Sequence, residues 1–101
     1  MKFKDGVDWT NIHPQIVQKM DGVDAIYQGF GVEAVITSGR DGKHGIGSLH
    51  YEGKAFDLRT WNVIEEVARQ LRMYLGPDFD VVVESDHIHV EFDPNHDRKV
   101  G

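Results

Sequence analysis

A chain of 101 residues can bury one hydrophobic core, which predicts a single domain. Its formal charge of −6 and its 11 scattered Lys and Arg residues argue against general binding to nucleic acid, which needs clustered basic side chains. It contains no cysteine, so disulfides and thiolate metal sites are excluded. Any zinc site must therefore use histidine and carboxylate ligands.

The N-terminus, residues 1–6, lacks the apolar segment of a signal peptide, and no apolar run has the length of a membrane span. We therefore expect synthesis in the cytoplasm, with action outside the cell only after release or delivery by another factor.

The first third of the chain predicts an extended lead-in followed by helix. Residues 2–11 are expected to be extended, and a helix begins at His13-Pro14, because proline is favoured at a first helical position. Asp21-Gly22 marks a place at which a first helix can end. Apolar side chains recur at the three- and four-residue spacing of one helix face: Ile16, Met20, Val23, Ile26 and Tyr27.

The middle of the chain predicts a strand, a loop, a strand and a second helix. Residues 32–38 are β-branched and bounded by glycines, as expected for a strand. A loop with four glycines covers residues 39–47, and the next strand covers residues 54–60. Asn62 is expected to cap the second helix, with Glu65 completing a capping-box-like pattern, and the helix ends before Gly76-Pro77.

Two strands are predicted near the C-terminus, at residues 80–84 and 88–92. In the second, alternation places Ile88, Val90 and Phe92 on the core face, and His87, His89 and Glu91 on the polar face. Residues 93–101 are expected to form a loose tail of the single domain, residues 1–101. This order predicts an α+β fold, with a small, mainly antiparallel sheet and helices on one face.

Three side chains suit a catalytic zinc site: His50, Asp57 and His89. His50 and Asp57 are separated by six residues that include a glycine, so a loop and a strand can bring them to one centre. Zinc accepts imidazole nitrogen and carboxylate oxygen, and a catalytic site leaves its fourth position for water. Two alternatives stay open at this point. These side chains can be ordinary polar residues, or His87 can replace His89 as ligand, with Glu84 as base.

Three motifs resemble the zinc D-alanyl-D-alanine carboxypeptidases, a family that includes phage L-alanyl-D-glutamate endolysins and shares the fold of the hedgehog signalling domain. They occur in the family's order across residues 32–92: Ser38-Gly39-Arg40, Ser48-x-His50-x-x-Gly53-x-Ala55-x-Asp57 and Asp86-His87-Ile88-His89-Val90. The resemblance implies the hedgehog/DD-peptidase fold, zinc bound by His50, Asp57 and His89, and hydrolysis of peptidoglycan stem peptides through a metal-activated water. The cleavage would be of the carboxypeptidase or the endopeptidase type.

The resemblance also implies roles for four further side chains. Asp86 would be the general base, His87 would assist the developing oxyanion, Arg40 would meet a substrate carboxylate and Ser48 would orient the substrate. The competing interpretations are that Arg40 pairs with Asp41 on an exposed loop and that Ser48 only closes its loop. In this chain Arg40 follows Gly39 directly, whereas the family often has an aromatic residue between them.

The expected partner is a peptidoglycan peptide, with a possible phage or cell-wall partner protein and no nucleic acid. The chain is short for the family and has no wall-binding module, so targeting to the wall would come from another protein or be absent. The lack of a signal peptide and the compactness of the chain suit a phage or prophage product, or a piece of a phage tail. The alternative function is a non-catalytic zinc-containing binding module or phage-tail component of the same fold. A structural component would have a closed site, with His87 as a fourth ligand. Asp86 beside a full ligand set favours the enzyme, because a binding module needs no base.

Overall fold

One five-stranded sheet organises the computed structural model, which describes residues 1–42, 44–45, 47–62 and 64–94. The strand order is β1-β2-β3-β5-β4, with β1 parallel to β2 and every other neighbouring pair antiparallel. The strands are β1 (Lys2–Phe3), β2 (Val35–Ser38), β3 (Ala55–Arg59), β4 (Phe79–Val83) and β5 (His87–Phe92). The expected α+β class with a mainly antiparallel sheet is confirmed.

Three α-helices accompany the sheet in the described part of the chain: α1 (Pro14–Val17), α2 (Met20–Gly29) and α3 (Ile64–Leu75). A short 3-10 helix covers Leu49–Glu52. One continuous core joins buried side chains of all three α-helices, such as Ile16, Tyr27 and Leu71, to the inward residues of the strands, such as Leu58 and Val90. The opposite face of the sheet is left for polar side chains.

Local structure differs from the sequence prediction at the N-terminus. The extended lead-in contains a short strand, because Lys2 donates its N–H to the carbonyl of Ala34 and Lys4 donates to that of Ile36. The first helix ends at Val17, earlier than Asp21-Gly22, and α2 then runs through Gly22. A Cβ on Gly22 would overlap the ring of Tyr74, so this glycine serves close packing between α2 and α3.

Two predictions fall partly or wholly on residues that the structure does not describe. Residue 63, between Asn62 and the start of α3, lies outside the described residues, so the expected cap stays a prediction. Residues 95–101 lie outside them as well, and so does most of the predicted tail.

Candidate metal centre

Strand register brings Asp57 and His89 together on the polar face of the sheet. Phe56 and Leu58 point into the core, so Asp57 between them points away from it. On β5 the same alternation buries Ile88 and Val90, and His89 lies directly opposite Asp57 in the β3–β5 pairing. A slip of one residue in this register would turn one of the two side chains into the core.

The 3-10 helix places His50 above this pair. Ser48 precedes the helix, and its hydroxyl accepts a hydrogen bond from the backbone N–H of His50 at 3.2 Å. Gly53 ends it with a φ of 73°, and a Cβ there would overlap the carbonyl of Asn11. The His50 side chain is consequently held in a buried position, with 2% of the residue exposed. The contact of Ser48 agrees with the loop-closing interpretation, and its role toward substrate stays a prediction.

Three donor atoms form a nearly equilateral triangle. His50 Nε2 lies 3.1 Å from His89 Nδ1 and 3.2 Å from Asp57 Oδ1, and the last two atoms are 3.1 Å apart. Tetrahedral zinc with bonds of about 2.0–2.1 Å places neighbouring ligand atoms about 3.3 Å apart. The three residues, called the trio below, therefore have the spacing that one metal ion requires.

The outer contacts of the two histidines leave both inner nitrogens with lone pairs. His50 Nδ1 lies 2.7 Å from the carbonyl oxygen of Gly39, which can only accept, so Nδ1 carries the hydrogen. His89 Nε2 lies 2.8 Å from Glu91 Oε1 and carries the hydrogen for the same reason. With neutral rings, the trio thus directs three acceptor atoms at one point with no hydrogen between them, an arrangement that a cation satisfies.

Electrostatics around the trio favours an ionised aspartate. Burial raises the pKa of Asp57, but hydrogen bonds from His50 and His89 outweigh burial and hold this pKa well below its ordinary value. The hydrogen bond to Asp57 raises the pKa of His89 against the lowering effect of burial, and the bond to Glu91 adds to the increase. Asp57 therefore offers a full negative charge to a cation at neutral pH.

His87 lies beside the trio and outside it. Its Nε2 is 3.7 Å from Asp57 Oδ2, and its Nδ1 is 2.6 Å from Asp86 Oδ1. The structure thus brings together His50, Asp57 and His89, and it does not place His87 as a substitute or fourth ligand. Asp86 is 85% exposed and lines, together with Asp57 and His87, an open cleft of about 300 Å³.

Arg40 lies apart from this cleft. Its backbone N–H donates to the carbonyl of Asp8 at 2.8 Å, and its side chain is absent from the residues that line the cleft. Asp41, the expected partner of Arg40, instead accepts hydrogen bonds from the backbone N–H groups of Asp8 and Gly39, each at 2.8 Å. The role of Arg40 toward a substrate carboxylate stays a prediction.

Several functional contacts were not evident in the sequence. The ring of His44 stacks on that of His50, with centroids 3.8 Å apart and planes inclined by 2°, a contact that no local pattern predicted. Glu91 orients His89; alternation placed both on one face but indicated no contact. Lys4 and Arg59 line the cleft, and only the proximity of Arg59 to Asp57 in sequence was a signal.

A sheet face that carries Asp57 and His89, with His50 of the 3-10 helix above it at metal-ligand spacing and an open cleft beside it, has the donor set of a metallohydrolase. A family model described as Peptidase M15 matches residues 1–91, and the chain belongs to this family. The family-level resemblance to the zinc D-alanyl-D-alanine carboxypeptidases is thereby confirmed, and membership supports a peptidase. No curated protein shows a significant match to the chain. Among the described helices, none combines the length and apolarity needed to cross a membrane.

Proposed function

We propose that this protein is a zinc-dependent peptidase that hydrolyses the peptide stems of bacterial cell-wall peptidoglycan. The observation that carries the proposal is the convergence of His50 Nε2, Asp57 Oδ1 and His89 Nδ1 within 3.2 Å of one another, beside an open cleft. Membership of the peptidase M15 family supports peptide-bond hydrolysis as the reaction class. Two imidazoles and one carboxylate favour zinc among the divalent ions.

The trio would hold the metal through His50 Nε2, Asp57 Oδ1 and His89 Nδ1. When bound, zinc supplies a water of lowered pKa and polarises the carbonyl of the bond to be cut. Gly39 and Glu91 keep the two imidazole rings oriented, because each accepts the hydrogen of the nitrogen that faces away from the trio.

Asp86 and His87 would carry the proton transfer and charge stabilisation. Asp86 accepts a proton at its carboxylate and returns it to the leaving amine. His87 would donate from Nε2 to the substrate oxygen that gains negative charge. Support for these roles comes from their shared position: both line the cleft with Asp57, and the 2.6 Å contact between them holds the His87 ring at its wall.

Two further side chains, Arg40 and Ser48, are not among the residues that line the cleft. Arg40 and Ser48 are proposed as substrate contacts on the resemblance alone. A carboxypeptidase and an endopeptidase are both compatible with an open cleft. We also propose that the protein reaches the cell wall by release or delivery, through a phage or a wall-associated partner protein.

Release of new amino groups from purified peptidoglycan tests the function. We expect zinc-dependent release by the wild-type protein and its loss in Asp86→Asn at unchanged zinc content. Asp21→Asn, which removes an exposed carboxylate on α2, is the matched control and should retain activity. Mass spectrometry of the products separates loss of a terminal D-alanine from internal cleavage. Absence of release by zinc-loaded wild type across several wall types would falsify the proposal.

A further inference from the structure

The cleft beside the trio has a basic wall formed by Lys4 and Arg59. Arg59 is the last residue of β3 and lies two residues after Asp57, on the same face of the sheet. Lys4 follows β1, and its backbone N–H donates to the carbonyl of Ile36 at 2.8 Å. The backbones of both cations are therefore fixed by the sheet that fixes the trio.

Neither cation has an acidic partner among the residues that the structure describes. The guanidinium carbon of Arg59 lies 5.7 Å from the centroid of the Trp61 ring, and no carboxylate of a described residue lies within ion-pair distance of it. Two carboxylates also line the cleft, and each already contacts histidine. Asp57 contacts His50 and His89, and Asp86 contacts His87. In a chain of formal charge −6, Lys4 and Arg59 thus place two positive charges on one wall of the cleft, and these charges can attract an anion.

Hydroxyl groups complete the wall. Thr37 and Ser38, from β2, line the cleft together with Lys4 and Arg59. The Ser38 hydroxyl donates to the carbonyl of Asp41 at 3.4 Å. The ammonium, the guanidinium and the Thr37 hydroxyl are donors that together suit a carboxylate, whose two oxygens accept several hydrogen bonds. Arg40, the arginine to which the resemblance assigned this task, does not line the cleft.

We propose that Lys4 and Arg59 bind a carboxylate of the substrate and make the enzyme selective for peptides that carry an acidic group beside the cleaved bond. This inference rests on the proposed peptidase function. The carboxylate is either the free C-terminus of the peptide or the acidic group of a residue within it. The bound carboxylate lies on the β1–β2–β3 side of the trio, away from the β4 edge of the sheet.

The experiment compares charged and amidated peptides with the zinc-loaded full chain. The probe is the pentapeptide L-Ala-γ-D-Glu-L-Lys-D-Ala-D-Ala, together with forms amidated at the C-terminus or at the free carboxyl group of D-Glu. The test variants are Lys4→Gln, Arg59→Gln and the double variant. Lys19→Gln, in the half-buried turn between α1 and α2, and Arg69→Gln, on the exposed surface of α3, remove the same charges away from the cleft and are the matched controls. Both kcat/KM and peptide affinity by calorimetry are measured.

We expect each single test variant to lower kcat/KM and affinity for the charged peptide about three- to fivefold, because exposed ion pairs are worth up to about that factor. The double variant should lose about tenfold or more, and the loss should shrink in high salt. One of the two amidated peptides should be insensitive to the substitutions. Insensitivity after C-terminal amidation identifies the terminus as the bound group, and insensitivity after D-Glu amidation identifies the internal carboxylate.

The outcomes separate this inference from the proposed function. If the peptides are cleaved but the test variants behave like the controls, the carboxylate site is wrong and the peptidase stands. If no peptide is cleaved, yet the wild type binds the charged form more tightly and the test variants lose that preference, the carboxylate site stands without the hydrolysis. Equal binding of all three peptides by all proteins overturns the inference.

Discussion

Asp57 and His89 face one another across the central pair of strands, with Asp57 Oδ1 3.1 Å from His89 Nδ1. His50 reaches the same point from a separate turn, and its Nε2 lies 3.2 Å from the same carboxylate oxygen. One carboxylate oxygen thus lies within 3.2 Å of a ring nitrogen of both imidazoles, which makes Asp57 the common member of the trio. Its removal should have the largest effect on metal binding.

Replacing Asp57 by asparagine should abolish tight zinc binding. The amide keeps the shape but removes the negative charge that attracts the divalent cation together with the two nitrogen lone pairs. We therefore expect a loss in affinity of about 100-fold or more, beyond that seen for residues that only orient a ligand. Competition with a chromogenic chelator measures the affinity. Asp78→Asn, an exposed aspartate before β4, is the control, and an equal loss there would point to a general charge effect.

Replacing Glu91 should weaken zinc binding through His89. Glu91→Ala removes the acceptor of His89 Nε2–H, and we expect about 10- to 100-fold lower affinity. Glu91→Gln retains an acceptor oxygen and should lose less. The same competition assay ranks the two variants. Equal affinities for wild type and Glu91→Ala would contradict an orienting role for this contact.

Stability of the metal-free protein should depend on pH through the trio. Burial raises the pKa of Asp57, but its hydrogen bonds with the histidines lower it by more, so this pKa is lower in the folded than in the unfolded protein. The contribution of Asp57 to the free energy of unfolding is therefore present above its ordinary pKa of 3.8 and is lost as the pH falls toward the pKa in the folded state. The hydrogen bond to Asp57 raises the pKa of His89 in the folded protein. The contribution of His89 to the free energy of unfolding is therefore complete below pH 6.5, its ordinary pKa, and is lost as the pH rises through the pKa in the folded state.

Urea unfolding in the presence of a chelator, repeated from acid to mildly basic pH, measures this dependence. We expect the free energy of unfolding to fall at both ends of the range, and His89→Gln to remove the decline at the basic end. Zinc should reverse that decline in the wild type, because metal binding is favoured where His89 has lost its second proton. A basic-end decline that persists in His89→Gln would assign it to another group.

Gly22 should be required for packing between α2 and α3. A Cβ at this position overlaps the Tyr74 ring, and displacement of that ring should cost about 1–2 kcal/mol in the free energy of unfolding. Gly29→Ala is the matched control, since nothing lies within 4 Å of its Cβ position, and it should be neutral or stabilising by up to about 1 kcal/mol. In a Tyr74→Ala background the cost of Gly22→Ala should disappear.

Much of the fold followed from local pattern. Alternation in residues 88–92 assigned Ile88 and Val90 to the core and His89 and Glu91 to the polar face, and the structure agrees. Asp21-Gly22 was interpreted as a place at which the first helix can end, but that helix ends at Val17 and α2 runs through Gly22. Gly22 is required at this position because of its contact with Tyr74. Tyr74 is remote in sequence, so a pattern of neighbouring residues cannot predict this contact.

The sequence by itself determined which donor types are available, that cysteine ligands are excluded, and that the motifs around His50, Asp57 and His89 resemble a zinc peptidase family. Only the tertiary structure decided that the polar atoms of these three residues lie within 3.2 Å of one another while His87 stays outside. The physical reason is that strand register and loop closure depend on packing between distant segments. The same packing brings Lys4 to the cleft, which no local pattern predicts.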